Sequence, residues 1–274
     1  MAEHQPESGT RLSAAQIHRN VLLPGRKELE RPSAALLWSS LASGLVIGFS
    51  FLGGAYLASL VGEERQTAAA SVAYPLGFIL VIMARSELFT ENTLVPVVPF
   101  LETRDRDTFL ALLRVWGLLL VGNLVGAAIF GWALARTPMV EPSLHIELTR
   151  IATKSTMGGF GHVVYAGVFA GWLIALLSWL LAATHATGAQ IALIWLCTAP
   201  ISALEFRHSI VGSVEAFYRA ASGGAGWGDM LGGFVVPAVI GNTIGGVLLV
   251  ALLNYGQVAA DREEEPGASD EADG

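Results

Sequence analysis

Residues 155–204 read STMGGFGHVVYAGVFAGWLIALLSWLLAATHATGAQIALIWLCTAPISAL, fifty positions without an Asp, Glu, Lys or Arg. A helix needs about 20 apolar residues to cross ~30 Å of hydrocarbon. The stretch is therefore long enough for two crossings, divided near Ala183–Ala189. Outward from it, four more uncharged runs occur: Ser33–Gly62, Gln66–Ala84, Val115–Ala135 and Met230–Ala260. Only 14% of the 274 residues are charged, where a soluble domain averages about 25%, and the mean hydropathy is +0.55. Five such runs in so short a chain argue against the buried helices of a soluble enzyme. The fold class expected is an all-α integral membrane protein with six transmembrane helices.

The segments fall at 34–62, 67–101, 108–135, 159–183, 189–218 and 230–256. The second is interrupted near 85–92 and the fifth near 205–213. The polar first 32 residues, followed by an apolar run too long for a signal peptide, make that run the first membrane helix. Three regions follow: a cytoplasmic N-terminal segment 1–33, a transmembrane domain 34–256, and an acidic cytoplasmic tail 257–274, expected to be disordered. With the N-terminus inside, eight Lys and Arg of the loops and tails face inward and five outward. That bias places both termini in the cytoplasm. The linker 136–158 is the longest loop and has room for a short surface helix. The lone cysteine, Cys197, excludes an internal disulfide and a cysteine-built metal site. No metal, cofactor or nucleic acid is expected, and no H-E-x-x-H or Ser-His-Asp set suggests an enzyme.

The two halves can be laid over one another. Glu87-Leu-Phe-Thr90 meets Glu205-Phe-Arg-His208 after 118 residues; Gly122-Asn123-Leu-Val-Gly126 meets Gly241-Asn242-Thr-Ile-Gly245 after 119; Gly44-x-x-x-Gly48 meets Gly167-x-x-x-Gly171 after 123. Repeat one spans about 34–135 and repeat two about 159–256. Three crossings per half force the second half to enter from the opposite side, an inverted 3+3 repeat whose site lies at the midplane between interrupted helices. Asn123 and Asn242 are read as hydrogen-bonding partners for the backbone freed at the interruptions.

Charges inside a membrane are expensive and suggest pairing or function. Arg85, Glu87, Glu205 and Arg207 form such a set, with Arg85-x-Glu87 and Glu205-x-Arg207 in mirror order. Crossed ion pairs locking the two interruptions are the first reading. An arginine that faces the path and holds an anion is the second.

Three motifs, Ser86-Glu87-Leu88-Phe89-Thr90, Phe206-Arg207-His208-Ser209-Ile210 and Gly241-Asn242-Thr-Ile-Gly245-Gly246, resemble in order and spacing those of the formate/nitrite transporter family. The resemblance covers residues 34–256. It implies an aquaporin-like fold, a homopentamer in the inner membrane with one pore per protomer, and passage of small monovalent weak-acid anions, often with a proton. It puts the loop threonine on Thr90, the central histidine on His208, and apolar constrictions on Phe78, Leu88 and Phe89, and it matches the vestibule lysine, one position out of register, to Lys154. Each has a plainer reading: a helix cap for Thr90, a structural hydrogen bond for His208, core packing for the aromatics, a solvated charge for Lys154. The chain departs from the family pattern at Gly171 and Gly212, where asparagines are usual, and at Arg85, Glu205 and Arg207. A different anion, a small neutral solute, or a non-conducting membrane protein remain as alternatives.

An anion cannot cross a dry constriction cheaply. A weak acid that takes up a proton crosses neutral, and histidine is a suitable donor. Thr90 and His208 are expected to form the central polar station.

Overall fold

The computed structural model describes residues 11–264, and every regular element among them is helical. The chain opens with α1 (Ala14–Glu30), started by a capping box in which the Gln16 N–H donates to Ser13 Oγ at 3.2 Å and the Ser13 N–H to Gln16 Oε1 at 2.8 Å. Next, α2 (Ser33–Val46) and α3 (Gly48–Ser59) form a 27-residue apolar span. A second span, Glu63–Met83, contains α4 (Gln66–Ala73) and α5 (Pro75–Met83). The backbone then leaves the helix until α6 (Val97–Thr103), except for one 3₁₀ turn at Glu91–Thr93. The longest uninterrupted helix, α7 (Arg106–Arg136), is capped by Asp105, whose carboxylate accepts from the N–H and the hydroxyl of Thr108, each at 2.8 Å. The following linker carries α8 (Pro142–Thr156).

In the second half, α9 (Phe160–Leu181) is followed by α10 (Thr187–Ala203), a break at 204–208, and α11 (Ser209–Ala221). The last span, Trp227–Asp261, joins α12 (Trp227–Met230), α13 (Val236–Gly246) and α14 (Leu253–Glu264) through two π-helical stretches. Among the described residues, five spans are long and apolar enough to cross a membrane. The remaining expected span is divided into α10 and α11, of 17 and 13 residues.

Close helix crossings set the frame. In the first half α2 crosses α7 and in the second α9 crosses α13. A Cβ on Gly44 would fall on the backbone of Asn123, and one on Gly171 on the backbone of Asn242. Small residues at such points let helices approach where lipid offers no hydrophobic drive. The outer surface keeps large apolar side chains exposed, such as Trp38 at 72% and Tyr165 at 66%, which matches a lipid or subunit environment rather than water.

The start of the C-terminal tail differs from expectation, and the N-terminal segment gains a helix that packs on it. The polar N-terminal lead contains α1, whose Val21 packs with Val97, Val98 and Val258. The tail expected to be disordered from 257 is helical through Glu264, because Val258 is buried against α1 and Tyr255 lies between His18 and Arg104. Residues 1–10 and 265–274 lie outside the described residues.

Candidate functional site

Two helices stop in the middle of the bundle in the same way. At the end of α5 the Ser86 N–H donates to Val81 O and the Arg85 N–H to Ile82 O, both at 3.1 Å. At the end of α10 the Phe206 N–H donates to Ile201 O at 2.8 Å and the Glu205 N–H to Ser202 O at 3.2 Å. This is a Schellman ending, which requires a left-handed residue after the cap. That residue is Arg85 (φ 58) in one break and Glu205 (φ 57) in the other, where glycine would be free of strain.

Each break leaves peptide groups that need partners in a dry interior. Asn123 on α7 accepts from the Phe89 N–H at 2.8 Å and donates to Glu87 O at 3.0 Å and Ser40 O at 2.8 Å. Asn242 on α13 accepts from the Ser209 N–H at 2.8 Å and donates to Arg207 O at 2.8 Å and Gly167 O at 2.9 Å. One amide thus ties each break to the helices of its own half.

The two breaks meet side chain to side chain. Thr90 Oγ1 lies 2.9 Å from His208 Nε2, and both residues are fully buried. His208 is also the N-cap of α11: its Nδ1 accepts from the Val211 N–H at 3.2 Å. An acceptor nitrogen carries no proton, so neutral His208 holds its hydrogen on Nε2 and donates it to Thr90. Phe78 closes one side of the ring, edge to face, with centroids 4.9 Å apart. Leu88 and Phe89 are buried in the same core cluster, and Phe89 turns toward Trp116, whose centroid lies 6.1 Å away.

A cavity opens at each break. One, on the α8 face, is lined by Lys154, Glu205, Arg207, His208 and Glu215. The other, on the α1 face, is lined by Glu28, Arg85, Glu87, Glu91 and Asn92. This separation corrects the expected crossed ion pairs. Arg85 and Glu87 open on one cavity, Glu205 and Arg207 on the other, so the two sets never meet. Glu87 instead pairs with Arg31 at 2.5 Å, and Arg31 also holds Glu28 at 3.1 Å. Burial first, then the Glu87 charge, pushes the Glu28 carboxyl above its ordinary pKa. Glu205 pairs with Lys154 at 2.7 Å. Arg207 spends its Nη1 on Glu205 O at 3.0 Å and its Nη2 on Lys154 O at 3.3 Å.

Sequence reasoning overlooks two carboxylates, Glu91 and Glu215. Each stands within a predicted membrane segment, which was the available signal, but neither belongs to a mirrored charge set. Arg31 and Arg150 are missed because they reach the cavities from α1's end and from α8, outside the spans. Among the described residues no three His, Cys, Asp or Glu side chains gather as metal ligands.

Known proteins share this arrangement of sequence and fold. The inner membrane protein YfdC of Escherichia coli (strain K12) is 35% identical over 249 residues, covering 90% of this chain and 80% of its own. A probable formate transporter of Methanothermobacter thermautotrophicus is 28% identical over 243 residues, covering 77% of this chain and 88% of its own. An FNT family ion channel superposes with TM-score 0.67 at 21% identity, covering 89% of this chain and 96% of that one. A pentameric formate channel with formate bound superposes with TM-score 0.68 at 19% identity, covering 83% and 98%. Residues 15–256 match the formate/nitrite transporter family as a whole. The chain belongs to the formate/nitrite transporter family.

Proposed function

We propose that this protein carries small monovalent weak-acid anions of the formate and nitrite type across the membrane, one path per protomer, through the station formed by Thr90 and His208. The observation that carries this is the buried Thr90–His208 hydrogen bond, which joins two helix breaks, each of which lines one cavity. Phe78, Leu88 and Phe89 act as the dry walls, and a permeant acid crosses between them uncharged. Transport rather than catalysis is the activity. The protomers assemble as a homopentamer in the inner membrane with both termini cytoplasmic. The matched amide bonds of Asn123 and Asn242, and the matched helix endings, support an inverted repeat.

Formate influx into proteoliposomes at two pH values tests the reading. Influx is expected to rise at acidic pH and to fall sharply in His208→Ala; influx unchanged by that substitution sinks the histidine's role. A second reading, a small neutral solute, is favoured by the carboxylates Glu91 and Glu215, one at each cavity. A panel of anions and neutral solutes separates the two.

A further inference from the structure

The cavity on the α8 face holds three cations, and they are not equally committed. Lys154 Nζ is already occupied: it pairs with Glu205 Oε1 at 2.7 Å and donates to Thr67 Oγ1 at 3.3 Å. Arg150 Nε is held by Glu147 Oε2 at 2.7 Å, yet its Nη2 is buried with no hydrogen-bond partner among the described residues. Arg207 is 6% exposed, and its two Nη atoms go to backbone carbonyls. Its Nε is likewise buried without a partner. Both arginines line the cavity that reaches His208. Glu215 stands in the same wall.

A buried donor left unmatched is unfavourable, and two arginines with such donors line one cavity. Guanidinium N–H groups fixed by other bonds suit a planar carboxylate or nitrite, whose oxygens accept in fixed directions. We propose that Arg150 and Arg207 form an anion-binding station on the α8 face, between Lys154 at the mouth and His208 at the centre. Its ligand is a small monovalent oxyanion, of which formate is the probe. The vestibule lysine, neutralised by Glu205, then attracts weakly, and capture is moved inward to the arginines. This inference rests on the transport reading of the same cavity.

The test combines formate flux in proteoliposomes with formate-dependent thermal stabilisation of the solubilised assembly. Arg150→Gln and Arg207→Gln are each expected to raise the half-saturating formate concentration about tenfold in both readouts, one charge-assisted hydrogen bond being worth about that factor. Lys154→Gln is expected to shift it less than either. Arg207→Lys keeps the charge but not the directed Nε donor, and it serves if Arg207→Gln fails to assemble; it too is expected to weaken binding. Half-saturation unchanged in Arg150→Gln and in the tolerated Arg207 variant overturns the station while leaving transport standing. Wild-type protein that carries no tested anion overturns the transport reading itself.

Discussion

His208 does two jobs with one ring. Its Nδ1 holds the first turn of α11 through Val211, and its Nε2 holds Thr90. Loading a second proton on the ring therefore means surrendering the Val211 bond, so any proton linkage through His208 involves the start of α11. Asparagine caps helices well and alanine does not, a difference of about 1 kcal/mol. His208→Asn is thus expected to melt higher than His208→Ala, by differential scanning of the solubilised protein. Thr90→Val removes the acceptor and strands a buried N–H, with an expected loss of about 1–3 kcal/mol of stability together with most of the flux; Thr90→Ser is expected to retain both. Thr90 and His208 are legible in the sequence because both stand at a repeat offset within recognisable motifs. The tautomer is not, since it depends on which backbone amide the folded chain points at Nδ1. Charge partners are illegible for a related reason: Glu87 and Glu205 are plain in the spans, but Arg31 and Lys154 come from helices whose docking no local pattern encodes.

At the scale of elements, hydropathy reveals the spans and the two breaks but not α1 or the helical tail. Those are polar by composition and stay ordered by burying a few apolar side chains. Val21 is 2% exposed between α6 and α14. Val21→Ala is expected to cost about 2 kcal/mol by lost burial, visible as faster protease cleavage in α1 and α14. The crossings are stricter. Gly44→Ala and Gly171→Ala each place a methyl on backbone atoms of the facing helix, whereas Gly62 has open space around it. Overpacking costs about 1–3 kcal/mol, so both variants are expected to melt well below Gly62→Ala. At the start of α7, hydrogen bonds from the Thr108 amide, with the Thr103 and Thr108 side chains, hold the Asp105 carboxyl down to about 2. The unfolded value is about 3.9, so the lowered folded pKa contributes stability in full above the unfolded value and loses it as pH falls toward 2. Asp105→Asn is expected to flatten that part of the acid limb in melting curves recorded from pH 5 downward.

Over the whole molecule, exposed Trp38, Tyr165 and Leu196 leave a surface that only lipid or further protomers can cover. Native mass measurement of the assembly is expected to give five copies; a stable monomer refutes the pentamer. The pair of left-handed helix endings has a different kind of consequence. Each is built from backbone hydrogen bonds alone, so the side chain at its corner is a free setting. Here the corner is Arg85 on one side and Glu205 on the other. The walls differ as well: Arg150, Lys154 and Arg207 stand with Glu205 and Glu215 in the α8-side cavity, while Arg85 stands with Glu28, Glu87 and Glu91 in the α1-side cavity, where Arg31 holds two of the three. On the proposed transport path, corners of unlike charge at the two breaks are expected to make anion conduction asymmetric. In a planar bilayer with equal salt on both sides, current carried by an anion is expected to differ between equal and opposite voltages, and the double exchange Arg85→Glu with Glu205→Arg to alter that asymmetry while leaving the fold intact.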